Sequence, residues 1–133
     1  MLNTAERYFE ETTSFEIADD VSVKDTSPVF YTLNLIGNHR KTSVILLLDK
    51  LQRADFDVIL SHFSGMNQFV LIKILRDLEA DCIIKRVTLG EYGEENYHVA
   101  YRLTYTGRRL IPIIDELDSW GKEQRRHKAL ISY

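Results

Sequence analysis

Apolar positions recur along most of this chain at the three- and four-residue spacing of an amphipathic helix, and the period changes once, late in the sequence. Residues 2–11 read as a short helix carrying Leu2, Ala5 and Phe9, and residues 12–27 alternate poorly and read as an extended arm. Pro28 opens a helical pattern in which Val29, Leu33 and Ile36 share a face; Gly37-Asn38 stops it. A second helix is expected from about Arg40 to Leu51, with Val44, Leu47, Leu48 and Leu51 at helical spacing and Ile45 and Leu46 widening the buried surface. A short third helix follows Asp55 or Asp57, either of which is a suitable N-cap, and contains Phe56, Ile59, Leu60 and Phe63. After the turn at Ser64-Gly65, Asn67 can cap a fourth helix reaching about Ala80. There Leu71, Ile74, Leu75 and Leu78 form a core-facing stripe.

The period then shortens. Ile83–Leu89 is rich in β-branched residues and reads as a strand, Gly90–Asn96 as a hairpin loop, and Tyr97–Thr104 as the returning strand. From about Thr106 a long helix is expected to run towards Lys128, with Leu110, Ile113, Ile114, Leu117 and Trp120 on one face and a kink near Arg108–Pro112. A short helix, a tight turn and a second helix make a helix-turn-helix, and a hairpin straight after it makes the motif winged. The fold expected is therefore mainly α with a small β-hairpin. Residues 1–27 form an N-terminal helix and acidic arm, 28–104 the winged helix-turn-helix domain, and 105–133 a C-terminal helix and basic tail. The Leu110–Trp120 stripe is longer than one small domain needs for its own core. We therefore expect Leu2, Ala5, Phe9, Leu110, Ile113, Ile114, Leu117 and Trp120 to build a homodimer interface.

Several segments carry a family resemblance. Ser27-Pro28 precedes a helix that ends in Ile36-Gly37-Asn38-His39-Arg40-Lys41. Further on stand Asp55-Phe56-Asp57-Val58-Ile59 and then Leu75-Arg76-Asp77-Leu78-Glu79-Ala80-Asp81-Cys82-Ile83. After the hairpin come Tyr101-Arg102-Leu103-Thr104-Tyr105-Thr106-Gly107-Arg108-Arg109-Leu110-Ile111-Pro112 and finally Trp120-Gly121. In this order and spacing, over roughly residues 27–122, the chain resembles the HxlR-type bacterial transcriptional regulators, which are close to the MarR-type winged helices. The resemblance implies a homodimer whose terminal helices pair and whose two recognition helices enter successive major grooves. Twofold symmetry then calls for a palindromic double-stranded DNA operator with half-sites about one helical turn apart.

Set against that frame, Asn67, Gln68, Phe69, Ile72, Lys73 and Arg76 are the candidate DNA contacts of the recognition helix, and Arg40 and Lys41 the candidate phosphate contacts beside the turn. Lys73 and Arg76 can hold phosphates or read guanine, whereas Phe69 and Ile72 can make only apolar contact, for instance with thymine methyls. The wing segment 87–97 holds Glu91, Glu94 and Glu95 and no base. An apolar outward helix and an acidic wing keep a second reading open, in which the winged helix contacts a protein through the recognition helix or the wing and binds DNA weakly or not at all.

Charge supports neither reading strongly. The net charge of the chain is −3; residues 1–27 contribute −5 (seven acids, two bases) and residues 28–133 contribute +2 (fifteen bases, thirteen acids). The basic run Lys122–Lys128 reads either as a solvated helix end or as a contact to flanking DNA.

Other chemistry finds little footing. The four histidines show no metal-ligand spacing, and neither a Gly-rich phosphate loop nor a Gly-x-Ser-x-Gly elbow is present, so no enzyme activity, cofactor or metal is expected. The sensing cysteine that several HxlR-type proteins carry before the proline is Ser27 here. The one cysteine, Cys82, stands where the family has the glycine that ends the recognition helix. It reads as a small, half-buried residue, since an activated thiolate needs a cationic setting and Asp81 beside it is an acid. The longest apolar run, Val44–Leu48, falls far short of the ~20 residues of a membrane span, and the first residues lack the pattern of a signal peptide. A cytoplasmic location is expected.

Overall fold

The structure is a computed structural model and describes residues 27–131. The expected helix at 2–11, the arm up to residue 26, and the interface candidates Leu2, Ala5 and Phe9 lie outside the described residues. The described residues fall into two units, 27–38 and 39–131.

In the first unit, helix α1 spans Pro28–Ile36. Proline suits this start because the first-turn amide it lacks would have no partner within the helix. The Ser27 carbonyl accepts from the Tyr31 amide at 3.1 Å, and Gly37 closes the helix with its amide on the Leu33 carbonyl at 2.7 Å. The sequence stripe is only partly correct here: Leu35 is the buried residue, while Val29 and Leu33 are nearly half exposed. Spacing identifies residues that share a face, and it does not say which face is covered.

The second unit has the order α2 (His39–Leu51), β1 (Ala54–Asp55), α3 (Phe56–Ser61), α4 (Gln68–Ala80), β2 (Ile84–Leu89), β3 (His98–Leu103), α5 (Tyr105–Arg108) and α6 (Leu110–Ile131). Helix α2 buries Val44, Ile45 and Leu48 as expected, whereas Leu47 and Leu51 are only half-buried and Leu46 is exposed. The two-residue strand β1 has no counterpart in the sequence pattern. It pairs with β3 (Ala54 opposite Tyr101, Asp55 opposite Ala100), giving an antiparallel sheet of order β1-β3-β2. A strand this short carries no periodicity and is defined only by its partner. Strands β2 and β3 pair from Ile84 opposite Leu103 to Leu89 opposite His98. Ile84, Leu103, Ala100 and Ile83 join Leu71, Leu75, Leu78 and Ile59 in the core, which contains no buried polar residue among those described.

The long C-terminal helix is interrupted at Arg109, within the range where the kink is expected. Thr104 caps the one-turn α5 by accepting from the Gly107 amide at 2.9 Å, and α6 begins afresh at Leu110. Pro112 thus falls in the first turn of α6, where its missing amide has no helical partner to lose. Thr104 also anchors this corner: its hydroxyl donates to the Cys82 carbonyl at 2.6 Å, and its amide to the Ile83 carbonyl at 2.9 Å. Gly107 is buried there, and a Cβ on it would collide with the Ile83 carbonyl oxygen. The Leu-Thr-x-x-Gly sequence is therefore the joint that seats the start of the last helix on the first wing strand.

Helix α4 ends in a Schellman arrangement. The Ile83 amide donates to the Leu78 carbonyl at 2.9 Å and the Cys82 amide to Glu79 at 3.0 Å, with Cys82 at φ 62°. That left-handed backbone explains why glycine suits the position, and it corrects the half-buried reading: Cys82 is exposed. The other non-glycine residue with positive φ, Gln52 at 71°, follows α2 and bonds back through its side-chain amide to the Asp49 carbonyl at 2.6 Å.

Candidate nucleic-acid interface

The turn between α3 and α4 is set by two carboxylate- or amide-bearing caps. Asp55, rather than Asp57, caps α3, accepting from the Val58 amide at 2.9 Å, because Asp55 is held extended by its pairing in β1. Asn67 caps α4 by accepting from the Val70 amide at 2.9 Å. Both caps satisfy amides that the first helical turn would otherwise leave unpaired. They fix where α4 starts and which way it faces.

On α4 the inner stripe of Leu71, Ile74, Leu75 and Leu78 is entirely buried. Opposite it, Gln68, Phe69, Lys73 and Arg76 are exposed, Phe69 by 73%. Ile72 departs from its expected outward position. It is half-buried, lining a groove with Phe56 of α3 and Tyr101 of β3. It sits on the boundary of the outer face, where the wing strand reaches α4. Phe69 and Ile72 are thus not an equivalent exposed pair.

The two basic candidates at the start of α2 also separate. Arg40 is exposed. The Lys41 ammonium lies 3.5 Å from the Asp77 carboxylate of α4, and its side chain is only 19% exposed. Successive residues on a helix point about 100° apart, so one faces outward and the next faces α4. Lys41 ties α2 to the recognition helix, an arrangement that differs from the expected open phosphate contact.

The wing carries opposite charges at its two ends. Its loop is folded by bonds from the Glu94 amide to Glu91 and from the Tyr97 amide to Glu94, and Tyr92 meets Tyr97 edge-on at 5.4 Å. Glu91, Glu94 and Glu95 are all exposed at this tip. At the base of the strands stand Lys85, Arg86 and Arg102, also exposed, with Lys85 directly opposite Arg102 in the ladder. The Arg86 Nε lies 3.1 Å from the Glu79 carboxylate of α4. Sequence reading missed Arg86. Its relation to α4 depends on the reversal at Cys82 that brings the strand back beside the helix, and no local spacing rule reports it.

The proposed interface stripe of α6 divides. Leu110 is buried and belongs to this chain's own core, and Ile114 is half-buried. Ile113, Leu117 and Trp120 are 46%, 47% and 67% exposed and, with Pro112 and Glu116, line a shallow apolar groove. Lys122 of the basic tail pairs with Asp118 one turn earlier at 2.9 Å. Among the described residues no three His, Cys, Asp or Glu side chains are grouped to hold a metal ion. No described helix is long and apolar enough to cross a membrane.

Comparison with known proteins agrees with this architecture. Residues 35–129 match the model of the HxlR-like helix-turn-helix family. The chain is 34% identical over 106 residues to an HTH-type transcriptional regulator of Halalkalibacterium halodurans, covering 80% of this chain and 90% of the relative. It is 33% identical over 103 residues to the HTH-type transcriptional regulator YybR of Bacillus subtilis, covering 77% and 78%. Among solved structures, the HTH-type transcriptional regulator YtcD superposes with a TM-score of 0.64 at 30% identity, covering 76% of this chain and 99% of that one. A MarR-family regulator from Enterococcus faecalis superposes with a TM-score of 0.66 at 24% identity, over 86% and 100%, which supports the winged-helix fold. These relatives are regulators and not enzymes. The chain belongs to the HxlR-like helix-turn-helix family of transcriptional regulators.

Proposed function

We propose that this chain is a sequence-specific DNA-binding regulator that acts as a homodimer on a palindromic operator, with α4 in the major groove and α6 forming the dimer seam. The observation that carries the reading is the division of α4: a capped helix with one face wholly buried and Gln68, Phe69, Lys73 and Arg76 presented to solvent on the other. Lys73 and Arg76 supply charge for phosphates or guanine, Arg40 adds a phosphate contact at the start of α2, and Phe69 meets a thymine methyl. Asn67 and Lys41 act mainly by holding α4 in place. Pairing through Ile113, Leu117 and Trp120 covers an apolar face that a monomer leaves in water.

Selection of binding sites from random duplex DNA tests this reading. The expected result is an enriched palindrome with an A·T pair under Phe69. Phe69→Ser should relax preference at that pair while leaving the salt dependence unchanged, because no phosphate contact is lost. The exposure of Phe69 and the acidic wing tip favour one alternative, a protein bound through the same face. Absence of any enriched sequence, together with DNA binding that is weak at low salt, would favour that alternative.

A further inference from the structure

Between α4 and the base of the wing lies a groove of about 360 Å³ bounded by Ile72, Arg76 and Glu79 on one side and by Arg86 and Tyr101 on the other. The acids of this part of α4 are already engaged, Asp77 with Lys41 and Glu79 with Arg86. Arg76 is exposed on the groove's outer wall, and Lys73 stands one turn before it. The Arg86–Glu79 contact is made through Nε. A guanidinium has five N–H donors in one plane, so a carboxylate on Nε fixes that plane and leaves the terminal amino groups available. The Arg86 side chain is 61% exposed, so those groups are open to a ligand. Two guanidiniums lining one groove repel each other unless an anion stands between them, and Glu79 supplies one charge to one of them.

We propose that Arg76 and Arg86 form a clamp on a single backbone phosphate of duplex DNA, with Glu79 as the residue that positions Arg86. This rests on the reading of α4 as the helix that enters the major groove. It also accounts for the polarity of the wing. The acidic tip at Glu91, Glu94 and Glu95 is repelled by phosphates, so the wing meets the DNA backbone at its cationic base, next to the recognition helix. Glu79 acts through Arg86 and does not itself touch DNA.

The test is the affinity of the full chain for a duplex of mixed sequence, measured by fluorescence anisotropy across a series of salt concentrations. Replacing Arg76 and Arg86 together with Ala should lower the slope of log affinity against log salt by about 0.9, the loss of one phosphate contact, and Arg86→Ala alone should lower it by less, because Arg76 stays on that phosphate. Glu79→Gln retains an acceptor for Nε and should keep the wild-type slope. Glu79→Ala should fall to the slope of Arg86→Ala, and the variant carrying both of those changes should fall no further. Both side chains are partly exposed, so melting temperatures should stay close to wild type and serve as the folding control. An unchanged slope in Arg86→Ala overturns the clamp. Equal tightening in Glu79→Gln and Glu79→Ala overturns the positioning role, since the carboxylate would then only repel DNA. A wild-type chain with no salt-dependent affinity overturns the DNA-binding reading itself and the clamp with it.

Discussion

Two helices of this protein carry the same apolar spacing and meet different fates. In α4 the residues are Leu71, Ile74, Leu75 and Leu78; in α6 they are Leu110, Ile113, Ile114 and Leu117, again at i, i+3, i+4 and i+7. All four of the first set are buried, whereas only Leu110 of the second is. The difference lies in what faces them. Helix α4 is enclosed because the chain reverses at Cys82 and lays β2 beside it, while α6 departs from its joint at Gly107 and carries its stripe beyond the reach of the core. A helical period therefore reports that a face is apolar, and the rest of the fold decides whether that face is closed within one chain or left for another.

The largest effect expected from this contrast is on the closed stripe. Leu71 is fully buried, and Leu71→Ala should lower the unfolding free energy by about 2–5 kcal/mol through lost burial and the cavity left behind. The loss should be the same at every protein concentration in a monomeric background, as read by denaturant melts. A loss below about 1 kcal/mol would mean that the α4 stripe is less tightly enclosed than its burial indicates.

The open stripe should respond differently. Leu117→Ser combined with Trp120→Ser removes two apolar side chains that are already 47% and 67% exposed, so the monomer should lose little stability. If α6 forms the seam, the pair should weaken the dimer by at least about 2 kcal/mol, roughly thirtyfold in Kd. Sedimentation at micromolar concentration should show wild-type dimer and variant monomer, and the concentration dependence of the wild-type melting temperature should vanish in the variant. A wild-type protein that sediments as a monomer would end the two-half-site picture.

How far the sequence could be read follows the same division. The α4 stripe, its Asn67 cap, the hairpin and the position of Phe69 were legible, because each is a local pattern: a period, a cap residue, a change from helical to β-branched composition. What was not legible depended on contact between segments remote in sequence. The choice of Asp55 over Asp57 needs the pairing of β1 with β3. The half-burial of Ile72 needs Tyr101 across the groove, and the inward turn of Lys41 needs Asp77 on another helix. Pro112 signalled the interruption between α5 and α6, but the close approach of Gly107 to Ile83 is a requirement that a single glycine in a sequence does not announce. The Arg86–Glu79 pair was missed for the same reason, although both residues were in plain view.

The smallest effect concerns the point where the closed region is sealed. Cys82 occupies the left-handed position of the Schellman turn at φ 62°, and unlike Gln52 it has no side-chain hydrogen bond to offset the conformation. A side chain with a Cβ in this conformation costs roughly 1–2 kcal/mol, and glycine avoids that cost. The greater freedom of glycine in the unfolded chain offsets part of the gain, so Cys82→Gly should stabilise the fold by about 0.5–1 kcal/mol, raising Tm by about 2–4 °C. Cys82→Ala is the control. It removes the thiol but keeps the Cβ, and should leave Tm near wild type. If alanine stabilised as much as glycine, the gain would come from losing the thiol and not from the backbone. Because the strain belongs to one chain, the increase in Cys82→Gly should persist in the Leu117→Ser, Trp120→Ser background, where the seam is gone. Loss of the increase there would mean that the turn after α4 and the α6 seam are energetically coupled, and that the closed and open stripes are not independent.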